Sequence, residues 1–288
     1  MDKVSSGILS LDIVLGGGFP LNKISEISGP PDSSKTTLML NLIKNNPDCV
    51  TAYLDTDKHM NYDYLETINI NTESMIISQP ESAEQLLDIV EQLLNARAVD
   101  IIIIDSLANL VSKEELETSM KSKQVNNNII TKTVQKLAAM AYKSDCAIIL
   151  INQIRANLKE KWGKTISIAD RALNSYATIR LDIKQTNELH KYDQIIGSRL
   201  KISVVKNKIN LAQGIQFIKI NHYYNNGLDT TADLLDLACE AAIINKAGSW
   251  FNYGNIKLQG KDNMIDLLDT DLDLFSDILN KVVEYYNL

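Results

Sequence analysis

The chain has 288 residues, 45% of them hydrophobic and 23% charged, an ordinary composition that can bury one large core plus a small appendage. No apolar run reaches the roughly 18 residues of a membrane helix, and Met1-Asp2-Lys3-Val4 leads into patterned sequence without a signal peptide's apolar stretch, so a cytoplasmic protein is expected. The net charge of -7 excludes a uniformly basic surface, and Cys49, Cys146 and Cys239, far apart and without Cys-x-x-Cys spacing, exclude a zinc ribbon and predict buried thiols.

From Ile24 to about Leu181 apolar runs alternate with helix-period stretches, the pattern of an α/β domain around a mainly parallel, buried sheet. Strands are predicted at Ile24–Ile27, Thr51–Leu54, Ser74–Ile77, Ile101–Ile104, Ala147–Ile151 and Ala177–Ile183, and helices at Lys35–Lys44, Ala83–Asn95 and Val125–Ser144. Four consecutive isoleucines show no alternation, so both faces of that strand must be covered and it must be central. Arg199–Val205 and Gln216–Ile220 alternate apolar and polar, which suits more exposed antiparallel strands at the sheet's end. Asn225-Asn226-Gly227 is a turn signal. After it come an amphipathic helix at Thr231–Ile244, an aromatic hairpin at Gly248–Gly254 and helices at Lys261–Leu268 and Leu272–Tyr286. The expected organisation is a core of residues 1–228 and a small α+β C-terminal domain of residues 229–288.

Gly29-Pro30-Pro31-Asp32-Ser33-Ser34-Lys35-Thr36-Thr37 follows a strand and opens a helix. Such a loop cradles phosphates with backbone N–H groups, while its Lys reaches the β- and γ-oxygens and its hydroxyl holds Mg²⁺. Ser34 stands where the pattern demands a second glycine, and that residue predicts strain and weaker nucleotide affinity. Val99-Asp100, four isoleucines and Asp105 form a strand whose terminal carboxylate can face the loop and orient Mg²⁺.

Charge is segregated elsewhere. Residues 155–171 carry Arg155, Lys159, Lys161, Lys164 and Arg171 against Glu160 and Asp170, whereas Asp262, Asp266, Asp269, Asp271, Asp273 and Asp277 crowd the C-terminal end. Phosphate contacts depend on local charge, so an acidic total does not argue against a nucleic-acid partner.

Several segments resemble the RecA recombinase family of bacteria and phages. They are Ser5-Ser6-Gly7-Ile8-Leu9-Ser10-Leu11-Asp12, Leu15-Gly16-Gly17-Gly18-Phe19-Pro20, Tyr53-Leu54-Asp55-Thr56-Asp57, Ile151-Asn152-Gln153-Ile154-Arg155 and Val204-Val205-Lys206-Asn207-Lys208, with Leu235-Asp236-Leu237 and Lys246-Ala247-Gly248-Ser249-Trp250-Phe251 near the C-terminal end. The resemblance covers nearly all of the chain. It implies a RecA-type P-loop ATPase core with ATP and Mg²⁺ as cofactors. Gly29, Asp32, Ser33, Ser34, Lys35, Thr36 and Thr37 would hold the phosphates, and Thr36 and Asp105 the metal. Tyr64 and Tyr224 would flank the adenine, with Asn61 where the family usually has an adenine-contacting Asp. Asp57 would orient the attacking water, although the family has Glu there. Asp is one methylene shorter, which predicts slow hydrolysis because a misplacement of about 1 Å costs on the order of 100-fold. Asp55 is the rival base.

The same resemblance implies that Gln153 senses the γ-phosphate and that two loops, at about residues 115–126 and 155–171, bind single-stranded DNA and pair it with homologous duplex. Met120 and Leu158 would insert between bases and Trp162 would stack. Lys121, Lys123, Arg155, Lys159, Lys161, Lys164 and Arg171 would meet phosphates, with Asp170 opposing them. Lys206 and Lys208, two apart on one face of an extended segment, would reach a neighbouring subunit's ATP in a helical homo-oligomer. Only 28 residues precede Gly29, so the N-terminal grip on the neighbour is expected to be absent and filaments weaker. The leading expectation is an ATP-dependent recombinase. Ser34 and Asp57 also leave a weakly hydrolysing paralogue that regulates recombination, and a ring-forming helicase is a third, less compatible reading.

Overall fold

A computed structural model describes residues 2–114, 123–154, 170–210 and 217–288, and of residues 123–128 the backbone alone. The elements in chain order are β1 (Lys3–Val4), α1 (Leu9–Leu15), β2 (Phe19–Pro20), β3 (Ile24–Gly29), α2 (Lys35–Lys44), β4 (Thr51–Asp55), α3 (Tyr62–Thr67), β5 (Met75–Ser78), α4 (Ala83–Asn95), β6 (Ile101–Asp105), α5 (Lys123–Tyr142), β7 (Ala147–Gln153), α6 (Asp170–Tyr176), β8 (Ile179–Lys191), β9 (Gln194–Asn207), β10 (Phe217–Tyr223), β11 (Gly227–Leu228), α7 (Thr230–Glu240), β12 (Asn245–Ala247), β13 (Trp250–Tyr253), β14 (Ile256–Gln259), α8 (Lys261–Thr270) and α9 (Leu272–Tyr286).

Among the described residues the main sheet runs β11-β10-β9-β8-β3-β7-β6-β4-β5. Strands from β8 to β5 pair in parallel, and β8, β9, β10 and β11 pair antiparallel. The isoleucine run accounts for the layering. Ile101 and Ile103 enter a cluster on one face with Leu38, Leu42 and Tyr53, while Ile102 and Ile104 enter a cluster on the other with Leu86, Val90, Val134 and Leu137. All four are fully buried, each stabilising the fold by about 1.5–3 kcal/mol relative to exposure. The α/β architecture with a central parallel strand at Ile101–Asp105 is as the sequence predicted.

Local signals set the helix limits. At α4 the Ser82 hydroxyl accepts from Gln85 N at 3.2 Å and the Gln85 side chain accepts from Glu81 N at 2.9 Å, so the first turn is capped from both sides. Its buried residues Ala83, Leu86 and Val90 lie on one stripe. A third cluster, built from Leu234, Leu235, Phe251, Met264, Leu268, Ile278 and Val282, belongs to the C-terminal segment, and Leu9 and Ile13 of α1 pack onto it. The predicted aromatic hairpin is the middle of a three-stranded antiparallel sheet, β12-β13-β14.

The long β8–β9 pair is irregular. Its ladder matches Arg180 with Lys206 but Leu181 with Val204, leaving Val205 as an extra residue on β9, 58% exposed. The carboxyl ends of β3, β4, β6 and β7, namely Gly29, Asp55, Asp105 and Gln153, lie along one edge of the parallel sheet, where open α/β sheets bind ligands.

Candidate nucleotide-binding site

The turn from β3 into α2 is tight. A Cβ at Gly29 would sit 2.5 Å from both the Ile183 carbonyl oxygen and Ser33 Oγ, so no side chain fits. Asp32 and Ser34 take left-handed φ values of 58° and 64°. Ser34 thus holds the conformation for which glycine is used, at a strain of about 1 kcal/mol. The Gln185 side chain pins the loop by donating to the Asp32 carbonyl at 2.6 Å. Ser34 Oγ lies 3.0 Å from His222 Nδ1.

Lys35, 7% exposed, donates to the Pro30 carbonyl at 2.6 Å and to Ser33 Oγ at 3.2 Å. Burial lowers its pKa, opposed by the carboxylates of Asp105, Asp32 and Asp57. Thr36 Oγ1 donates to Asp105 Oδ2 at 2.8 Å and Tyr53 Oη to the same oxygen at 2.6 Å. Burial raises the Asp105 carboxyl above the usual carboxylate range, and these two hydrogen bonds pull against that shift. Above the loop opens a cavity of about 570 Å³, walled by Tyr53, Asp57, Asp105, Gln153, His222 and Tyr224.

The two rival carboxylates have different surroundings. Asp55, 3% exposed, accepts from His59 N at 3.2 Å, Met60 N at 3.1 Å and Gln79 Nε2 at 3.1 Å, so it holds the chain leaving β4. Asp57 accepts from Asn109 Nδ2 at 2.7 Å, from Ser106 N at 3.2 Å and from Gln153 Nε2 at 3.1 Å. The structure therefore brings Asp57 and Gln153 together.

The adenine-side residues are divided. Tyr224 lines the cavity, whereas Asn61 caps α3 by accepting from Tyr64 N at 3.1 Å, and Tyr64 packs against the core; neither is among the lining residues. His59 and Met60, just before them, line it instead. Lys206 and Lys208 lie away from this cavity; Lys206 donates to the Asn174 carbonyl, and burial followed by the charges of Lys208 and Arg180 lowers its pKa. Met120, Lys121, Arg155, Leu158, Lys159, Lys161, Trp162 and Lys164 lie outside the described residues, and Lys123 begins α5. At the end of the second segment Asp170 and Arg171 are already helical. Arg171 is exposed, and Asp170, its side chain half exposed, is bonded at 2.5 Å to Arg180 Nη2.

His222, Gln185, His59 and Met60 were not anticipated from sequence. For His222 a signal existed: Ile218, Ile220 and His222 occupy the same face of β10, and the first two are core residues.

A glycine-requiring loop at the carboxyl edge of a parallel sheet, with a lysine and a hydroxyl opening the helix and a carboxylate facing them, defines a P-loop nucleotide-binding protein. Comparison with known proteins narrows the class. The sequence model of the RecA N-terminal domain matches residues 1–229 and that of the RecA C-terminal domain residues 232–287. Curated relatives named Protein RecA include that of Geobacter metallireducens, 36% identical over 99% of this chain and 85% of its own length. Those of Clostridioides difficile (35%, 100% and 84%) and Chloroherpeton thalassium (38%, 98% and 80%) are similar. The chain belongs to the RecA family. No described helix is long and apolar enough to cross a membrane.

Proposed function

We propose that this RecA-family recombinase binds ATP in the cavity above Gly29–Thr37, hydrolyses it slowly, and uses ATP binding to engage single-stranded DNA for homologous pairing. The observation that carries this reading is the 3.1 Å hydrogen bond from Gln153 to Asp57, which joins a carboxylate beside the phosphate loop to the strand leading towards residue 155.

The residues present suit Mg²⁺: Thr36 Oγ1 and Asp105 Oδ2 are hard oxygen donors 2.8 Å apart, and such sites are completed by phosphate and water. Bound there, Mg²⁺ supplies charge neutralisation at the β- and γ-phosphates. Lys35, held by two neutral oxygens in a partly desolvated place, gains by exchanging them for phosphate oxygens. Asp57 Oδ1 is fixed by Ser106 and Asn109, whereas Oδ2 receives Ser106 Oγ at 3.3 Å and Gln153. A γ-phosphate offers Gln153 a stronger acceptor. When Gln153 turns to it, Asp57 Oδ2 loses its amide donor and can orient the attacking water, and the β7 end moves with the phosphate state. Residues 115–126 and 155–171 would carry the DNA contacts, and Lys206 and Lys208, away from this chain's own cavity, would complete the ATP site of a neighbouring subunit.

The test is fluorescence anisotropy with single-stranded oligonucleotide. Wild type is expected to bind only with ATP and more weakly as salt rises. Gln153→Ala is expected to keep nucleotide binding and lose the ATP dependence of DNA binding. Wild-type binding that ignores ATP would overturn the reading.

A further inference from the structure

His222 lies 188 positions from Ser34 in sequence, yet their side chains meet at 3.0 Å. The imidazole is only 6% exposed, and its Nε2 has no hydrogen-bond partner among the described residues. The Tyr224 ring packs edge-on against it at 5.6 Å. Packing alone does not call for this residue. An apolar side chain would continue the Ile218–Ile220 row without stranding a buried nitrogen, and that desolvation is also what lowers the histidine's pKa. The contact falls on Ser34, one of two left-handed residues in the loop and the one that stands where the phosphate-loop pattern has glycine.

We propose that Ser34 and His222 form a phosphate-binding dyad: His222 is the positioning residue and Ser34 Oγ the group that touches the nucleotide. The inference rests on the reading that this cavity binds ATP. A neutral imidazole carries one N–H, so the Ser34 hydroxyl can either donate to Nδ1 or accept from it. A phosphate oxygen only accepts. Its arrival selects the arrangement in which Nδ1–H donates to Ser34 Oγ and Oγ–H donates to phosphate. Glycine at this position offers a backbone N–H alone. Serine adds a second donor, and His222 aims it.

Titration with a fluorescent N-methylanthraniloyl ATP in Mg²⁺ tests the dyad, with thermal melts to confirm folding. His222→Leu, which fills the space without the N–H, is expected to weaken binding about 10- to 100-fold, the worth of a charge-assisted hydrogen bond. His222→Asn, whose amide nitrogen can occupy the Nδ1 position, is expected to restore most of it. In a Ser34→Gly background, His222→Leu is expected to change affinity by no more than about twofold, because the partner is gone. A simple packing role would give the same loss in both backgrounds. Wild-type binding that Lys35→Ala abolishes but His222→Leu leaves intact overturns the dyad alone, as does an equal loss with and without Ser34. No binding by wild type overturns the nucleotide reading and the dyad together.

Discussion

Glu26, in the middle of β3, is fully buried, and its carboxylate accepts from Arg180 Nε and, at 2.8 Å, from Asn152 Nδ2. Arg180, whose side chain is 11% exposed, also reaches Asp170 at 2.5 Å and Asn174 Oδ1 at 3.3 Å. Arg180→Met keeps most of the buried volume but leaves a desolvated carboxylate without its counter-charge. Breaking a buried pair from one side costs about 3–5 kcal/mol, against about 0–1 kcal/mol for an exposed pair such as Lys58–Glu81 at 3.6 Å. Urea denaturation followed by circular dichroism at neutral pH should show that loss. The double variant Arg180→Met/Glu26→Gln removes the stranded charge and should regain most of it. A loss below about 1 kcal/mol in the single variant, or no recovery in the double, refutes the account. Activity should fall along with stability, because β3 ends in the phosphate loop and Asn152 precedes Gln153.

Lys35→Ala is expected to weaken nucleotide binding by about 100-fold or more, read by the same fluorescent ATP titration, since it removes a desolvated charge facing the phosphates. Asp57→Asn should abolish turnover, while Asp57→Glu, reaching about 1 Å further, should raise it by up to about 100-fold in a steady-state ATPase assay; a fall with Glu would remove Asp57 from its role. Burial pushes the Asp233 carboxyl, which accepts from Ser10 N at 2.9 Å, up to about 6 from 3.8. A raised folded pKa gives stability that is complete below the unfolded value and lost as pH rises through the folded one. Stability should therefore drop by up to about 3 kcal/mol between about pH 4 and pH 6, and Asp233→Asn should flatten that part of the denaturation profile.

Among the longer helices α2 and α4 span the predicted Lys35–Lys44 and Ala83–Asn95, whereas α5 covers Lys123–Tyr142 against an expected Val125–Ser144 and α7 ends at Glu240 instead of Ile244. The helices α1, α3 and α6 are six or seven residues long, under two turns, too short for a 3.6-residue period to register. Within the site, residues contiguous with a motif were readable, as with Lys35, Thr36 and Asp105. Partnerships across the sheet were not. Glu26 reads as the one charged residue of its strand until Arg180 is placed beside it, and the alternation that turns His222 towards the core does not name Ser34 as its partner. The half-exposed Asp170 likewise shows its bond to Arg180, ten positions on, only in the fold.

The extra residue on β9 bears on how such chains can lengthen and shorten. Leu200, Ile202 and Val204 face the core, and unbroken alternation would send Lys206 inward after them. Val205 shifts the phase, so that Lys206 stands opposite Arg180 on the other face. Deleting Val205 would straighten the ladder and leave Lys206 opposite Arg180, whereas drawing Val205 into the pairing would turn Lys206 inward. The bulge thus lets β9 carry one residue more or less without changing which way Lys206 points.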